Sequence, residues 1–345
     1  MSTLRDVADR AGVSIKTASR VVNEEAGVAP ATLARVKKAV RTLSYVPNVS
    51  ARRLVRRRAH VLGLVYQNQS WNWINDFQRG AIGEAGRLGY EILMHPFDVD
   101  TAGEEDALLR LIDQGSVDGL ILTPPCGDAR ALIRALERRG TPYTCIAPAD
   151  RKGKMPTVSA SDHDGAREMG RYLVDKGHRR LAFVAGGPEQ ASSHDREAGF
   201  RGALEERGID WSSVLFLQGD FSFASGVACG NAVLDCVPRP TAVFASNDDM
   251  AAGILAACHE RRISIPEELS VAGFDDVELA RQVWPPLTTI HQPTDEIAAL
   301  ATRLLIDCLD DHADSDQHRT LPTELVVRAS TGPACSQEST LELRA

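Results

Sequence analysis

Side chains that suit contacts with nucleic acid are concentrated in the first 23 residues of the chain. They are small polar groups, two cations and one apolar neighbour, at Thr3, Ser14, Ile15, Lys16, Thr17, Ser19, Arg20 and Asn23. Lysine and arginine pair with guanine O6 and N7 in the DNA major groove, and small polar side chains reach phosphate oxygens. Base reading requires a rigid element that presents these groups together.

Apolar spacing predicts such an element, namely two short helices joined by a tight turn. The first helix has its apolar face at Leu4, Val7, Ala8 and Ala11. The second has its apolar face at Ala18, Val21 and Val22. Thr3 and Ser14 are expected to cap the helices, and Gly12 permits the positive φ of the turn. This layout is typical of a helix-turn-helix, whose second helix enters the major groove; a plain αα-hairpin is the alternative.

The charge distribution favours DNA binding. Residues 1–60 carry 13 Lys and Arg against 4 Asp and Glu, whereas the remaining residues carry 26 against 43. A basic head on an acidic body is expected when only the head meets phosphate.

The composition indicates a globular chain of two or three domains. The chain has 345 residues, of which 43% are hydrophobic and 25% charged. No apolar run approaches the ~20 residues of a membrane span, and no signal-peptide core precedes the first helix, so we expect a soluble cytoplasmic protein without a membrane partner. Seven cysteines without a CxxC pair predict free thiols in a reducing compartment. We expect no metal and no cofactor.

Three stretches carry a resemblance to a known family. The phrases DVADRAGVSIKTASRVVN, TLSYVPNVSARRL and LTTIHQP resemble the lactose-repressor/galactose-repressor (LacI/GalR) family of bacterial transcriptional regulators, and the likeness extends over nearly the whole chain. It implies a homodimer that binds near-palindromic, double-stranded operator DNA. Apolar residues at Leu33, Val36, Val40 and Leu43 predict a third helix over residues 31–43. At its expected cap position the family often has a Ser or Thr, whereas this chain has Ala29.

The arginine-rich stretch PNVSARRLVRRR links the head to the rest of the chain. Taken alone, this stretch is a solvated basic tether. The resemblance implies instead a hinge helix that forms on the operator, with Leu54 as a wedge in the minor groove and Arg52 and Arg53 as backbone or groove contacts.

From Val61 onward, short apolar runs alternate with amphipathic segments, and the whole alternation occurs twice. This pattern predicts two doubly wound parallel sheets with a cleft between them. We expect helices at residues 80–88, 104–114, 128–138, 196–207, 224–236, 248–261 and 294–309. The resemblance implies a two-lobed fold shared with periplasmic sugar-binding proteins, in which the chain crosses between lobes three times.

The predicted organisation follows from these patterns. Residues 1–46 form an all-α helix-turn-helix domain, residues 47–59 a linker, residues 60–333 an α/β effector-binding and dimerisation domain, and residues 334–345 a polar tail. Lobe one comprises about 60–160 and 292–322, and lobe two about 161–291 and 323–333.

Motifs for catalysis are missing from the sequence. A P-loop, GxSxG, HExxH and a GxGxxG after the first strand are all absent, so no catalytic residue is predicted. The Gly186-Gly187 pair is interpreted as a turn.

Binding residues are expected in the cleft. The resemblance assigns effector contacts to Arg196, Asn247 and Asp275, and a stacking role to Phe221. Arg196 and Asp275 are expected on different loops of lobe two. Trp71 and Trp73 are expected on a loop of lobe one, where aromatic rings suit sugar faces. Core packing is the alternative for Phe221, and a surface helix position for Arg196.

The family commonly has an acidic residue where Pro148 or Ala149 stands. The lack of this carboxylate predicts that the ligand is a glycoside with an apolar aglycone.

Together these features predict a repressor that a small sugar or glycoside releases from DNA. The alternatives are a regulator that requires a corepressor such as a nucleobase, a sugar-binding transport protein, and a DNA-acting enzyme.

Overall fold

A computed structural model describes residues 2–22, 27–45, 58–67, 70–101, 103–151, 155–310, 312 and 317–334. The chain divides into two compact units, Met1–Ala59 and His60–Ala345.

The first unit contains three helices, α1 (Leu4–Ala11), α2 (Ile15–Val22) and α3 (Pro30–Thr42). They enclose a small core of Val7, Ala8, Ala11, Ala18, Val21, Val36 and Ala39. A capping box between Thr3 and Asp6 begins α1, and Gly12 ends it at φ 63°. As predicted, Ala29 gives α3 no side-chain cap.

The second unit contains two parallel sheets. The described strands of the first lie in the order β11-β5-β4-β3-β1-β2. They are β1 (Val61–Tyr66), β2 (Glu91–Pro96), β3 (Gly119–Leu122), β4 (Tyr143–Ile146), β5 (Thr157–Ala160) and β11 (His318–Leu321). The accompanying helices are α4 (Trp71–Arg87), α5 (Glu104–Asp113), α6 (Arg130–Arg139) and α12 (Thr294–Leu309). Apolar cores cover both faces, as the alternation predicts. We call this half lobe one.

The described strands of the second sheet lie in the order β7-β6-β8-β9. They are β6 (Leu181–Ala185), β7 (Leu215–Gln218), β8 (Ala242–Ala245) and β9 (Ser270–Ala272). The accompanying helices are α7 (Asp162–Asp175), α8 (Ala191–Glu206), α9 (Phe223–Asp235), α10 (Asp248–Glu260) and α11 (Leu279–Gln282). Their apolar faces also pack on both sides of the sheet. We call this half lobe two.

The end of the chain returns to both lobes. Helix α12 packs against α4, and β11 pairs in parallel with β5 at the edge of the first sheet. The short strands β10 (Thr289–His291) and β12 (Glu324–Val326) then pair antiparallel, with Ile290 in the core of lobe two. Strands β5 and β11 were not among the predicted elements.

The helix at the start of lobe one is longer than predicted. We expected Trp71 and Trp73 on a loop, but both belong to the first turn of α4, because Ser70 caps the helix through the Trp73 amide at 3.3 Å. The helix therefore begins nine residues before the predicted position.

Among the described residues, no helix is long and apolar enough to cross a membrane, and no cluster of side chains could hold a metal ion. Cys126, Cys145, Cys229, Cys236, Cys258 and Cys308 are free thiols.

Candidate functional site

The start of α2 presents the predicted DNA-reading residues to solvent. Ser14, Ile15 and Lys16 are exposed, and Ile15 keeps 46% of its surface accessible although it is apolar. The Ser14 hydroxyl accepts a hydrogen bond from the Thr17 amide at 3.1 Å, which fixes the first turn. An exposed isoleucine contributes nothing to the core of this unit, so it is available for apolar contact with a base.

The other predicted DNA contacts have mixed positions. Thr17, Ser19 and Arg20 are half-buried, and Thr3 is exposed at the start of α1. The Thr3 hydroxyl donates to Asp6 at 2.8 Å. The hydrogen bond from the Thr3 amide to Asp6 lowers the pKa of that carboxyl. Thr3 therefore has a structural role whether or not it meets phosphate. Asn23, Arg52, Arg53 and Leu54 lie outside the described residues.

A cleft between the two lobes collects most of the predicted effector residues. It contains about 670 Å³ of space that no protein atom fills, part of which is open to solvent. Its walls include Trp73, Arg196, Phe221, Asn247 and Asp275. The predicted lobe-two residues thus come together in one site, although they are distant in sequence.

Arg196 lies at the centre of a buried polar network. Its Nε donates to Asp162 Oδ1 at 2.7 Å, and its Nη2 donates to Gln292 Oε1 at 2.9 Å. Its Nη1 donates to the Ser246 carbonyl and lies 3.3 Å from Asp275 Oδ1. The guanidinium also lies 3.7 Å from the centre of the Phe274 ring. These contacts hold the side chain in one orientation before any ligand is bound.

Arg196 was predicted as the first residue of a helix over 196–207 and also as a loop contact; the structure agrees with the helix, and the loop prediction was wrong. The residue lies in the second turn of α8, which begins at Ala191. A helix positions a guanidinium more rigidly than a loop, because its backbone is fixed by internal hydrogen bonds.

The two carboxylates beside Arg196 outnumber the cation. Asp275 is 5% exposed, and burial raises its pKa to about 7 in spite of the opposing charge of Arg196. Burial also raises the pKa of Asp162. Asp275 Oδ1 accepts no hydrogen bond from any residue that the structure describes.

Phe221 forms an aromatic face of the cleft and is 7% exposed. Its ring lies against Gly186, where an added Cβ would come within 1.9 Å of the ring. Asn247 caps α10 through the Met250 amide at 3.0 Å and donates to the Phe221 carbonyl at 3.0 Å. The missing side chain of Gly186 therefore gives the Phe221 ring its space.

Three residues of the cleft wall have a left-handed backbone. Ala147, Phe221 and Asp275 all line the cleft, and all have positive φ, at 43°, 70° and 113°. Left-handed backbone is unfavourable for residues with a Cβ and recurs at ligand sites.

The two tryptophans have different positions. Trp73 lines the cleft and stacks on Phe77 with ring centres 5.1 Å apart. Trp71 is 68% exposed and is not among the residues of the cleft wall. The difference follows from the helix, because residues two apart on a helix point in different directions.

The lobe-one wall is largely apolar. Its residues are Gln67, Ser70, Trp73, Ile74, Pro124, Ile146, Ala147, Ala160 and Ile297. Among these described residues there is no carboxylate.

Sequence reasoning missed several polar residues of the cleft. They are Gln67, Ser70, Asp162, Gln190, Ser192 and Gln292. Asp162 lies two residues after β5, and Gln292 lies directly after β10, where the chain passes between the sheets. Polar residues after short strands were the available signal, and strand β5 itself was not recognised.

Comparison with known proteins agrees with this architecture. Residues 3–48 match the model of bacterial regulatory proteins of the lacI family, and residues 171–331 match a periplasmic binding protein-like domain. The ribose operon repressor of Escherichia coli (strain K12) is 32% identical over 337 residues, which cover 96% of this chain and all of that protein.

Solved structures give the same result. A lac repressor dimer bound to operator and the anti-inducer ONPF has a TM-score of 0.80 and 29% identity, covering 96% of this chain and 99% of that one. A complex of the transcriptional regulator CelR with cellobiose has a TM-score of 0.72 and 29% identity, covering 96% of this chain and all of that one. With its helix-turn-helix head, its two parallel sheets and relatives matched along nearly its full length, the chain belongs to the LacI family of bacterial transcriptional regulators.

Proposed function

We propose that this chain is a dimeric repressor that a small neutral sugar or glycoside releases from its operator. Family membership gives the class, a regulator that binds operator DNA and responds to a ligand. The proposal adds the sign of the response, the chemistry of the ligand and the residues that contact it.

One observation carries the ligand chemistry: Asp275 lies on the cleft wall, with its Oδ1 3.3 Å from Arg196 Nη1. A sugar hydroxyl can donate to this carboxylate and accept from the guanidinium at the same time. Asn247 and Gln292 are further polar groups on the same wall. The site therefore supports recognition of adjacent hydroxyl groups.

The opposite wall supports the glycoside part of the proposal. Trp73, Ile74 and Ile146 give it an apolar surface, which suits a sugar ring face or an aglycone better than further hydroxyls.

DNA reading is assigned to the start of α2. Ile15, Lys16 and Arg20 are the proposed base-contacting residues, with Ser14, Thr17, Ser19, Thr3 and Asn23 in supporting contacts. In the linker, Leu54 is the proposed minor-groove wedge, and Arg52 and Arg53 its flanking contacts.

A corepressor that strengthens DNA binding is the second candidate. The aromatic Phe221 and Trp73 on the cleft wall favour it, because they could stack on a planar base.

One experiment separates the two candidates. Fluorescence anisotropy of labelled DNA from the region upstream of the gene would be recorded with ribose, cellobiose, aryl glycosides and purine bases. We expect a sugar or glycoside to lower operator affinity at least tenfold; tighter binding in the presence of a purine base would establish the second candidate instead.

A further inference from the structure

Asp249 is a buried carboxylate of lobe two that accepts hydrogen bonds from two side chains of lobe one. It belongs to the first turn of α10 in lobe two and is 8% exposed. Its Oδ1 accepts from Asn72 Nδ2 at 2.8 Å, and its Oδ2 accepts from the Ser70 hydroxyl. Ser70 is the N-cap of α4 in lobe one, and Asn72 lies in the first turn of that helix, so this carboxylate joins the starts of two helices across the cleft.

Asp249 does not line the cleft, but the residues around it do. Ser70, Trp73 and Ile74 of the same α4 turn form part of the lobe-one wall, and Asn247, two residues before Asp249, forms part of the opposite wall. Any movement of this turn relative to α10 would therefore change the distance between the two walls.

The chemistry of the contact suits repeated making and breaking. Both donors are neutral, and the partial positive charges of two helix N-termini favour the carboxylate. When the lobes part, water can replace both donors, so the carboxylate remains satisfied in either arrangement. Arg196 differs, because its charge is buried between carboxylates and loses essential partners if it moves.

A second contact between the lobes is more exposed. Arg151, after β4 of lobe one, pairs with Asp195 of α8, and their side chains are 39% and 36% exposed. Exposed ion pairs contribute little, because solvent screens them. This pair provides a matched comparison for Asp249.

We propose that Asp249 is a positioning residue that fastens the first turn of α4 to lobe two and so sets the lobe-one wall of the effector cleft. The inference rests on the proposed function only in treating that cleft as the effector site.

Hydrogen exchange of the full-length chain without ligand tests this role. Asp249→Ala is expected to raise the exchange rates of amides in residues 70–77 at least tenfold relative to those of strands β6 and β8. Asp249→Asn should stay within threefold of the parent, because the Asn72 amide can turn to present its oxygen to the new amide. Asp195→Ala should leave residues 70–77 within twofold.

Asn72→Ala provides a second test from the other side of the contact. It leaves the Ser70 cap and the whole of α10 intact, so it is informative even if Asp249→Ala folds poorly. We expect Asn72→Ala to raise the amide exchange rates of residues 70–77. The Asn72→Ala/Asp249→Ala double variant should exchange no faster in these residues than Asp249→Ala alone.

Two results would overturn the proposal. One is unchanged exchange in residues 70–77 in both single variants, and the other is a uniform rise across lobe two, which would mean a merely structural role. Since no ligand is present, such a failure is distinct from a protein that shows no response to sugars.

Discussion

The DNA-reading helix and the effector cleft obtain their functional side chains in opposite ways. At the start of α2, Ser14, Ile15 and Lys16 are consecutive and exposed. In the cleft, Arg196 is buried and meets Asp162 across 34 positions and Gln292 across 96. Substituting an exposed side chain affects no other residue of the protein. Substituting a buried one leaves its hydrogen-bond and ion-pair partners unsatisfied. We therefore expect head substitutions to alter recognition alone and cleft substitutions to alter stability as well.

Arg196→Ala should show the largest effect. It leaves Asp162 and Asp275 buried without their countercharge, which costs on the order of 3–5 kcal/mol of unfolding free energy. Urea denaturation would measure the loss.

Arg201→Ala is the matched control for Arg196→Ala. Arg201 lies on the same helix, is 51% exposed and pairs with Glu205, so its loss should cost no more than about 0.5 kcal/mol. Equal destabilisation by the two variants would contradict the contrast between buried and exposed sites.

Exchanging Ile15 and Lys16 should change which operator is preferred. The exchange keeps composition and charge, so nonspecific affinity and head stability should remain near the parent values. Discrimination between operators should shift by about 1–3 kcal/mol, because base contacts at the start of α2 carry it. Selection from randomised sites would measure the preference, and recovery of the parent consensus would remove these residues from base reading.

Asp275→Asn should change the pH dependence of stability. The folded protein raises the pKa of Asp275 from 3.8 to about 7, so it binds this proton more tightly than the unfolded chain does. Because of Asp275, the unfolding free energy falls as the pH rises from 3.8 to about 7, by at most about 1.4 kcal/mol per pH unit. The asparagine variant lacks this titration.

The stability of Asp275→Asn relative to the parent should thus increase from pH 4 to pH 7. Chemical denaturation at several pH values would measure it, with Asp235→Asn as the control because Asp235 is 66% exposed. Parallel profiles of the parent and the Asp275→Asn protein would mean that Asp275 ionises normally.

Ala29→Ser should give the smallest effect, and it should be favourable. Ala29 is the N-cap of α3 and makes no side-chain hydrogen bond. A serine hydroxyl can accept from a free amide of the first turn, which is worth about 1 kcal/mol. Thermal unfolding of the head should shift upward while operator preference stays the same; a downward shift would show that the α3 N-terminus is already satisfied.

The contrast between the head, whose functional residues are consecutive, and the cleft, whose residues are far apart in sequence, explains how much of the structure the sequence predicts. The helices of the head follow from local periodicity and caps, so their bounds agree closely with the structure. In the lobes, the helices at 104–113, 248–260 and 294–309 were also placed correctly. Strand β11 was missed because it is an edge strand of four residues with half its positions exposed, which leaves little hydrophobic signal.

The cleft needed more than local pattern. Arg196, Asn247, Phe221 and Asp275 were identified through family resemblance, whereas nothing in their local sequence indicates that they meet. The role of Asp249 depends on a contact across 179 positions, which no periodicity encodes.

Operator release in the parent and Asp275→Asn proteins tests the central claim most directly. Operator affinity would be titrated with the sugar or glycoside that acts on the parent. A ligand shifts the protein only by its differential affinity for two states, so removing a contact in the cleft should abolish release and leave operator binding within about twofold. Full release of the Asp275→Asn protein, or an operator affinity that the ligand strengthens in the parent, would contradict the account.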